Sequence, residues 1–387
     1  MNICLVTANY PPMAWPCGLA DFVRRYATSL HKAGVEVSVL TSNPKAETIG
    51  EFPVIVKPGN WGHRHRGELA TVIREKGFDA FDLQYETFAF GHRARPFWFP
   101  LHFGRPKPAR VLTMHSQGLP KRGGRLWRPL QIRPWDAIVF YSEPFLERMK
   151  ARFPSRADRF HHLGFPSNIA VAVSPDLRSL VARVKAGWHD PRSLVMYFGH
   201  INAGRGIEEM LEAVKRLGER GLKPQVALVS QFDPQTNDYQ RKLLADVAGM
   251  GLSDRVSFPG QLPSDQVSHL FQASDVVVLP FPEGASFKNG TLAAALGHGT
   301  AVVTTLTDLS EKALHGAVVG YPPGDVAALT ERLAEMLTLH EKRAAISEAA
   351  RKLGEELSWD VYTAKRIAIY DNVIRAGRST PSTLTGS

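Results

Sequence analysis

Asn2-Ile-Cys-Leu-Val-Thr7, Asp21-Phe-Val-Arg-Arg-Tyr-Ala-Thr-Ser-Leu-His-Lys-Ala33, Gly34 and Val35-Glu-Val-Ser-Val-Leu40 form the stretch that decides the fold. The first segment is a short apolar run stopped by Pro11-Pro12, which predicts a buried strand feeding a loop. In the second, Phe22, Val23, Tyr26, Ala27 and Leu30 recur at helical spacing, and Gly34 follows where a C-cap belongs. The third is again a strand. Strand, loop, helix and strand in that order are the parallel crossover of α/β proteins.

The rhythm repeats outward. Phe81-Asp-Leu-Gln84, Arg110-Val-Leu-Thr-Met-His115 and Ala137-Ile-Val-Phe-Tyr-Ser142 are apolar runs that end in polar residues. Ligands of open parallel sheets bind beyond the carboxyl ends of the strands, so Gln84, Glu86, His115 and Ser142 are predicted to face one crevice. The pattern pauses over about 163–193. It resumes with strands at 193–199, 225–230, 255–258, 276–279 and 301–304 and helices at 207–217, 238–248, 264–272 and 290–296. Two tandem doubly wound α/β domains follow, 1–170 and 171–361. A helix over 362–376 and a disordered tail at 378–387 complete the chain.

The 387 residues are 44% hydrophobic and 22% charged, which excludes disordered, collagenous and coiled-coil chains. Cys4 and Cys17 are too few for a disulfide scaffold and lack zinc or redox spacing. The N-terminus has no basic region ahead of its short apolar run, and the longest charge-free stretch, 289–307, is broken by glycines. A cytoplasmic protein is expected. The net charge is +10, and the excess lies in the first half: residues 1–173 hold 24 Lys and Arg against 13 Asp and Glu. Segment 91–135 carries ten basic and no acidic residues, interleaved with Phe97, Trp98, Phe99, Trp127 and Trp135. Such a mixture predicts peripheral contact with an anionic membrane at the inner face of the cell. No nucleic-acid motif accompanies it.

Three motifs in order, Tyr10-Pro-Pro with Cys17-Gly-Leu-Ala20, Phe198-Gly-His-Ile-Asn-Ala-Gly-Arg-Gly-Ile207, and the 276–304 block, resemble the retaining glycosyltransferases of family 4, which have the GT-B fold. The resemblance covers roughly residues 1–375. It implies two Rossmann-like domains facing a central cleft. A nucleotide-sugar donor is held mainly by the second domain and a glycan or lipid-linked acceptor mainly by the first, in polysaccharide or glycolipid biosynthesis. The last helix, 362–376, is the counterpart of the family's crossover onto the first domain.

The family's roles carry over residue by residue. Gly18, ahead of a helix, would let its backbone approach a phosphate. His200 and Arg205 stand where the family carries Arg and Lys to neutralise the leaving diphosphate; Arg205 keeps a permanent charge, while His200 is only partly protonated near neutrality. Glu283 matches the first glutamate of a pair seven residues apart, near the donor sugar. The second, which accepts from the ribose, is here Thr291. The intervening segment has a phosphate logic of its own: a small-residue loop with Ser286, Lys288 and Asn289, opening a helix at Gly290. It resembles a divergent branch of the family in which a Gly-Ala-Ser turn and a basic residue replace the second glutamate. His115 matches the family's histidine near the sugar, and Gln84 and Glu86 an acceptor-facing strand end. No Asp-x-Asp occurs, so no metal or cofactor is expected and protein cations alone would neutralise the diphosphate. Loss of the second glutamate also leaves open a catalytically silent, sugar-nucleotide-binding or scaffold subunit.

Overall fold

The computed structural model describes residues 1–13, 17–48, 51–91, 95–103, 107–116, 130–173 and 193–378. The chain divides into two units, one of Met1–Gly164 with the chain from Trp359 onward, the other of Phe165–Ser358. The division falls earlier than the expected 170, because Phe165 N–H already donates to Phe287 O of the second unit (3.0 Å).

In the first unit, β1 (Asn2–Thr7), β2 (Glu36–Thr41), β3 (Val54–Val56), β4 (Ala80–Tyr85), β5 (Ala109–Met114), β6 (Ala137–Phe140) and β7 (Phe160–His162) form a parallel sheet in the order β3-β2-β1-β4-β5-β6-β7. Helices α1 (Gly18–Lys32), α2 (His63–Glu75) and α3 (Glu143–Arg152) connect its strands. Helix α1 buries Leu19, Ala20, Phe22, Val23, Tyr26, Ala27 and Leu30, the stripe predicted from their spacing. It ends where Gly34, at φ +80°, donates to His31 O (3.0 Å). It begins at Gly18 rather than near Asp21, so Gly18 is its first residue.

In the second unit, β8 (Leu194–Phe198), β9 (Gln225–Val229), β10 (Val256–Gly260), β11 (Val276–Leu279), β12 (Val302–Thr305) and β13 (Val319–Tyr321) make a parallel sheet in the order β10-β9-β8-β11-β12-β13. Helices α4 (Ile207–Glu219), α5 (Asp238–Gly249), α6 (Ser264–Ala273), α7 (Gly290–Gly297), α8 (Val326–Thr338) and α9 (His340–Glu356) surround it. Its inner strands β8, β9, β11 and β12 are largely apolar runs buried on both faces, as helices on both sides of a sheet require, whereas edge strand β10 buries only Val256.

The last helix, α10 (Trp359–Arg378), belongs to the first unit and starts slightly ahead of the expected 362. Its register is set by charge. Alternation along β4 puts Phe81, Leu83 and Tyr85 in the apolar core and Asp82 and Gln84 on the opposite face. Asp82 is fully buried and receives Arg366 Nη2, also fully buried, from α10. Tyr370 OH (2.6 Å) and Thr113 Oγ1 (2.8 Å) also donate to this carboxylate. Arg366 Nε donates to Tyr26 OH (3.0 Å), and the Tyr26 and Tyr370 hydroxyls are 2.7 Å apart. The Tyr141 and Tyr362 hydroxyls (2.7 Å) and those of Ser29 and Thr363 (2.7 Å) add two further ties.

The basic, aromatic segment departs from expectation. Phe97, Phe99 and Trp135 are fully buried in the first unit's core, with Phe81 packed edge-on to Phe99 and Trp135. Those rings are structural, since burying them in protein removes more apolar surface from water than seating them in a headgroup layer. Trp127 lies outside the described residues, as do 174–192 of the expected hinge and the tail 379–387. Among the described residues no helix is long and apolar enough to cross a membrane.

Replacing Arg366 by Met leaves the Asp82 carboxylate buried and unpaired. We expect a loss of about 3–5 kcal/mol in denaturant unfolding, and recovery of most of it in the double variant Asp82→Leu/Arg366→Met.

Candidate functional site

A doubly wound sheet places its ligand crevice where the strand order reverses, because the connections leave in opposite directions there. In the second unit the reversal lies between β8 and β11. The loops after these two strands hold the candidate residues Gly199–Ile207 and Phe281–Thr291.

After β8 the chain turns through Gly199 (φ +152°), Gly204 (φ +73°) and Gly206 (φ +71°). Gly206 is the N-cap of α4, and a Cβ there would meet Pro280 O at 2.6 Å. Only glycine allows this loop to seat against the end of β11. His200 and Arg205 are exposed on it, and the His200 carbonyl accepts from Tyr197 OH (3.0 Å). No side chain caps the N-terminus of α4, so its first-turn amides stay open to a ligand.

The loop after β11 is built by its own small residues. Gly284, at φ +88°, lies where a Cβ would strike Thr307 Oγ1 at 2.4 Å. Ser286 N donates to Asn289 Oδ1 (2.8 Å) and Asn289 N to Ser286 O (2.9 Å). Asn289, the N-cap of α7, therefore spends its side chain on the loop and leaves the helix N-terminus uncapped. Ser286 is buried, its Oγ accepting from Lys288 N (3.4 Å), so it shapes the turn. Lys288 Nζ reaches Glu283 Oε2 at 3.3 Å, an ion pair of a largely shielded cation with an exposed carboxylate. Thr291 lies in the first turn of α7, its methyl 3.6 Å from where a Cβ of Gly199 would be. The uncapped starts of α4 and α7, Arg205, Lys288 and Thr291 thus belong to adjacent loops. Beneath them is a residue that sequence reading missed: Glu311, fully buried, accepts from Phe287 N (2.9 Å). In Asp308-Leu-Ser-Glu311 it reads as a solvated turn, so the sequence carries no signal for it.

In the first unit the order reverses between β1 and β4. The loop after β1 leads to Cys17 and Gly18 at the start of α1. That helix also lacks a side-chain cap, and Gly18 is exposed with open space around its Cβ position. Past β4, Gln84 is fully buried and its Oε1 pairs with His115 Nε2 (2.9 Å) beyond β5. Phe22 (centroids 5.0 Å) and Tyr141 (5.1 Å) enclose the imidazole. This burial, with Arg366 as a lesser cause, lowers His115 to about 3, so it is neutral at physiological pH and donates Nε2–H to Gln84. Gln84 therefore meets His115 instead of solvent. Glu86 has structural partners too, accepting from Ala89 N (2.8 Å) and Ser116 Oγ (3.1 Å) to hold the turn after β4. Ser142 caps α3 through Phe145 N (3.4 Å). Among the described residues no group of three His, Cys, Asp or Glu is placed to hold a metal ion.

Residues 192–339 match the family Glycosyl transferases group 1. A 407-residue alignment with an uncharacterized glycosyltransferase of Methanocaldococcus jannaschii is 25% identical and covers 96% of this chain and 98% of that protein. Alpha-D-kanosaminyltransferase of Streptomyces kanamyceticus is 25% identical over 150 residues, 38% of this chain and 37% of the relative. A glycosyltransferase from Rickettsia africae superposes with a TM-score of 0.77 at 12% identity, covering 97% of this chain and 98% of its own. Anabaena HepE, solved with UDP-glucose, does so with 0.67 at 16% identity, covering 98% and 100%. The fold is that of the GT-B glycosyltransferases, two Rossmann-like domains with parallel sheets. The family match, which lies within the second unit, and the alignment along nearly the whole chain are both to glycosyltransferases.

Two outcomes follow. The His115 ring resonances should not titrate between pH 5 and 8. Because its folded pKa lies below the unfolded value of about 6.5, the neutral histidine's contribution to stability is intact above that pH. It is lost as pH falls from about 6.5 towards 3, at up to about 1.4 kcal/mol per pH unit, and acid unfolding of His115→Gln lacks this component. Gly206→Ala meets both a left-handed backbone and the Pro280 carbonyl. It should cost about 1–3 kcal/mol of stability in thermal unfolding, beyond the cost of Ala at open Gly204.

Proposed function

We propose that this chain is a retaining hexosyltransferase, taking a nucleoside-diphosphate sugar as donor and a hydroxyl of a glycan or lipid-linked molecule as acceptor, without a divalent metal. The observation that carries the reading is the pair of uncapped helix N-termini at the switch point of the second unit, flanked by Arg205 and Lys288. Open amides, two positive dipole ends and two cations are what a diphosphate leaving group needs. HepE, with its bound UDP-glucose, is a precedent for such a donor on this fold.

The bond from the anomeric carbon to the diphosphate oxygen breaks while the acceptor oxygen bonds to the same face, and the acceptor proton passes to the departing diphosphate. Arg205 and Lys288, with the α4 and α7 amides, take up the developing charge, and His200 stands on the same loop as Arg205. Glu283, released from Lys288 once that cation turns to phosphate, orients the donor sugar. Thr291 supplies one hydroxyl where the family has a carboxylate, so ribose is gripped without charge. Neutral His115 serves as a hydrogen-bonding group, fixed by Gln84, and the open amides at Gly18 face anionic substrate groups. Pathway membership in polysaccharide or glycolipid assembly and peripheral contact with an anionic leaflet are part of the proposal. With three aromatics in the core, that contact is electrostatic, through cations such as exposed Arg95 and Lys107.

Calorimetric titration with UDP, GDP, ADP and dTDP, first metal-free and then with magnesium, tests the donor site. Micromolar binding of one nucleotide without metal is expected. Arg205→Ala should weaken it roughly tenfold to a hundredfold, the worth of a charged hydrogen bond. No binding by the folded protein would replace this reading with the scaffold subunit that Thr291 and His200 favour.

A further inference from the structure

At the opposite end of the first unit's sheet a cleft of about 1150 Å³ opens between the last turns of α2 and α10 and the residues that precede β4 to β7. The six residues of β5 separate it from His115 by about 20 Å. Its walls are apolar at Ile73, Phe78, Ile369 and Val373, and its rim is charged. Five permanent cations, Arg74, Lys107, Arg110, Arg159 and Arg378, meet three carboxylates, Asp79, Asp136 and Asp158.

Part of this charge has a structural purpose. Asp136 is taken by Arg110, which donates Nε (2.8 Å) and Nη2 (2.6 Å) to it, and Asp79 by Arg378 (2.8 Å) and Asn2 N (2.9 Å). Arg74 stands in the last turn of α2 and Arg378 in that of α10, where cations answer the negative helix ends. Lys107 and Arg159 answer none, and among the described residues neither has a carboxylate within ion-pair distance. Arg159 is held instead by Trp135 O (3.2 Å), and beside it Arg156 by Arg133 O (3.1 Å). Burial and the like charges of Arg159 and Arg133 push Arg156 below the ordinary arginine value. Asp158 on the same rim partly offsets Arg156, whereas among the described residues no ion pair offsets Lys107 or Arg159.

We propose that this cleft is a second anion site, taking a phosphate-bearing ligand of at least two negative charges through Lys107 and Arg159, with an organic portion against the apolar wall. A free phosphorylated metabolite and a lipid headgroup share that chemistry. The inference does not depend on the donor-site reading.

Inorganic pyrophosphate titrated into the full chain at low salt tests it, with wild type compared to Lys107→Ala/Arg159→Ala and to Arg205→Ala/Lys288→Ala. We expect a binding component that survives the second pair of changes and weakens at least tenfold in the first. Co-sedimentation with vesicles containing phosphatidic acid, and not with phosphatidylcholine alone, lost in the same double variant, identifies the headgroup. Pyrophosphate binding without sedimentation identifies a soluble ligand. If Lys107→Ala/Arg159→Ala melts early, Lys107→Glu alone, at an exposed position, must give the same loss. Unchanged pyrophosphate and vesicle binding in the folded Lys107 and Arg159 variants overturns the site, whereas loss confined to the Arg205 and Lys288 variant assigns all binding to the donor loops.

Discussion

The Asp82–Arg366 pair is the constraint on which the first unit depends. A carboxylate in the middle of a central strand is costly to bury, and β4 cannot place it in water because both faces of the sheet are covered. The chain meets this cost by returning α10 from the second unit, so that one guanidinium and the hydroxyls of Tyr370 and Thr113 complete the carboxylate's coordination. Apolar residues of similar volume would fill the space as well, but any helix rotation that kept an oily stripe inward would satisfy them. A charge partner admits one rotation and one register. That register brings Trp359 and Tyr362 against Phe22, the ring that also packs on His115. The pair thereby fixes the walls around the imidazole and, through Arg366, contributes to keeping it unprotonated.

A second constraint acts on the loops. Both sheets reverse their strand order once, and each reversal opens a gap into which helix N-termini point. Away from the reversals some helices cap themselves with a side chain, α3 through Ser142, α5 through Asn237 and α8 through Asp325, and others, α2, α6 and α9, do not. The helices at the two reversals, α1, α4 and α7, do not. At α7 the omission is built in, since Asn289 is a competent cap whose oxygen is committed to Ser286 N. The open amides at the start of α7 are thereby left available to an anion.

The strands and helices of both sheets were legible because burial on two faces writes continuous apolar runs and amphipathic helices write a 3.6-residue period. Short edge elements were not: β3, β7 and β13 have three residues each, too few to show any period. The stripe of α2 was hidden by four His and Arg residues in its first turn, two of which, His65 and Arg66, are buried. Site residues that act through position within a motif, such as Arg205 and Lys288, could be read from their loops. Residues that act through a neighbour could not. Gln84 is a strand-end amide in the sequence and becomes the partner of His115 only because β4 and β5 pair in register, Gln84 opposite Thr113. Asp82 did carry a signal, a carboxylate between Phe81 and Leu83, but its partner lies 284 positions away.

Charge follows the same division of labour. In the basic segment the sequence juxtaposes cations and rings, yet among the described residues Phe97, Phe99 and Trp135 are in the core while Arg95 and Lys107 are exposed, because a ring gains by burial whereas a cation must keep partners. Amphipathic composition alone therefore does not specify a membrane-inserting surface. What survives folding is the cations' placement relative to carboxylates. At Arg110 the nearest carboxylate, Asp136, is bidentate and the charge is settled within the protein. Lys107 and Arg159 have no such partner among the described residues, and their charge is left open to an external anion.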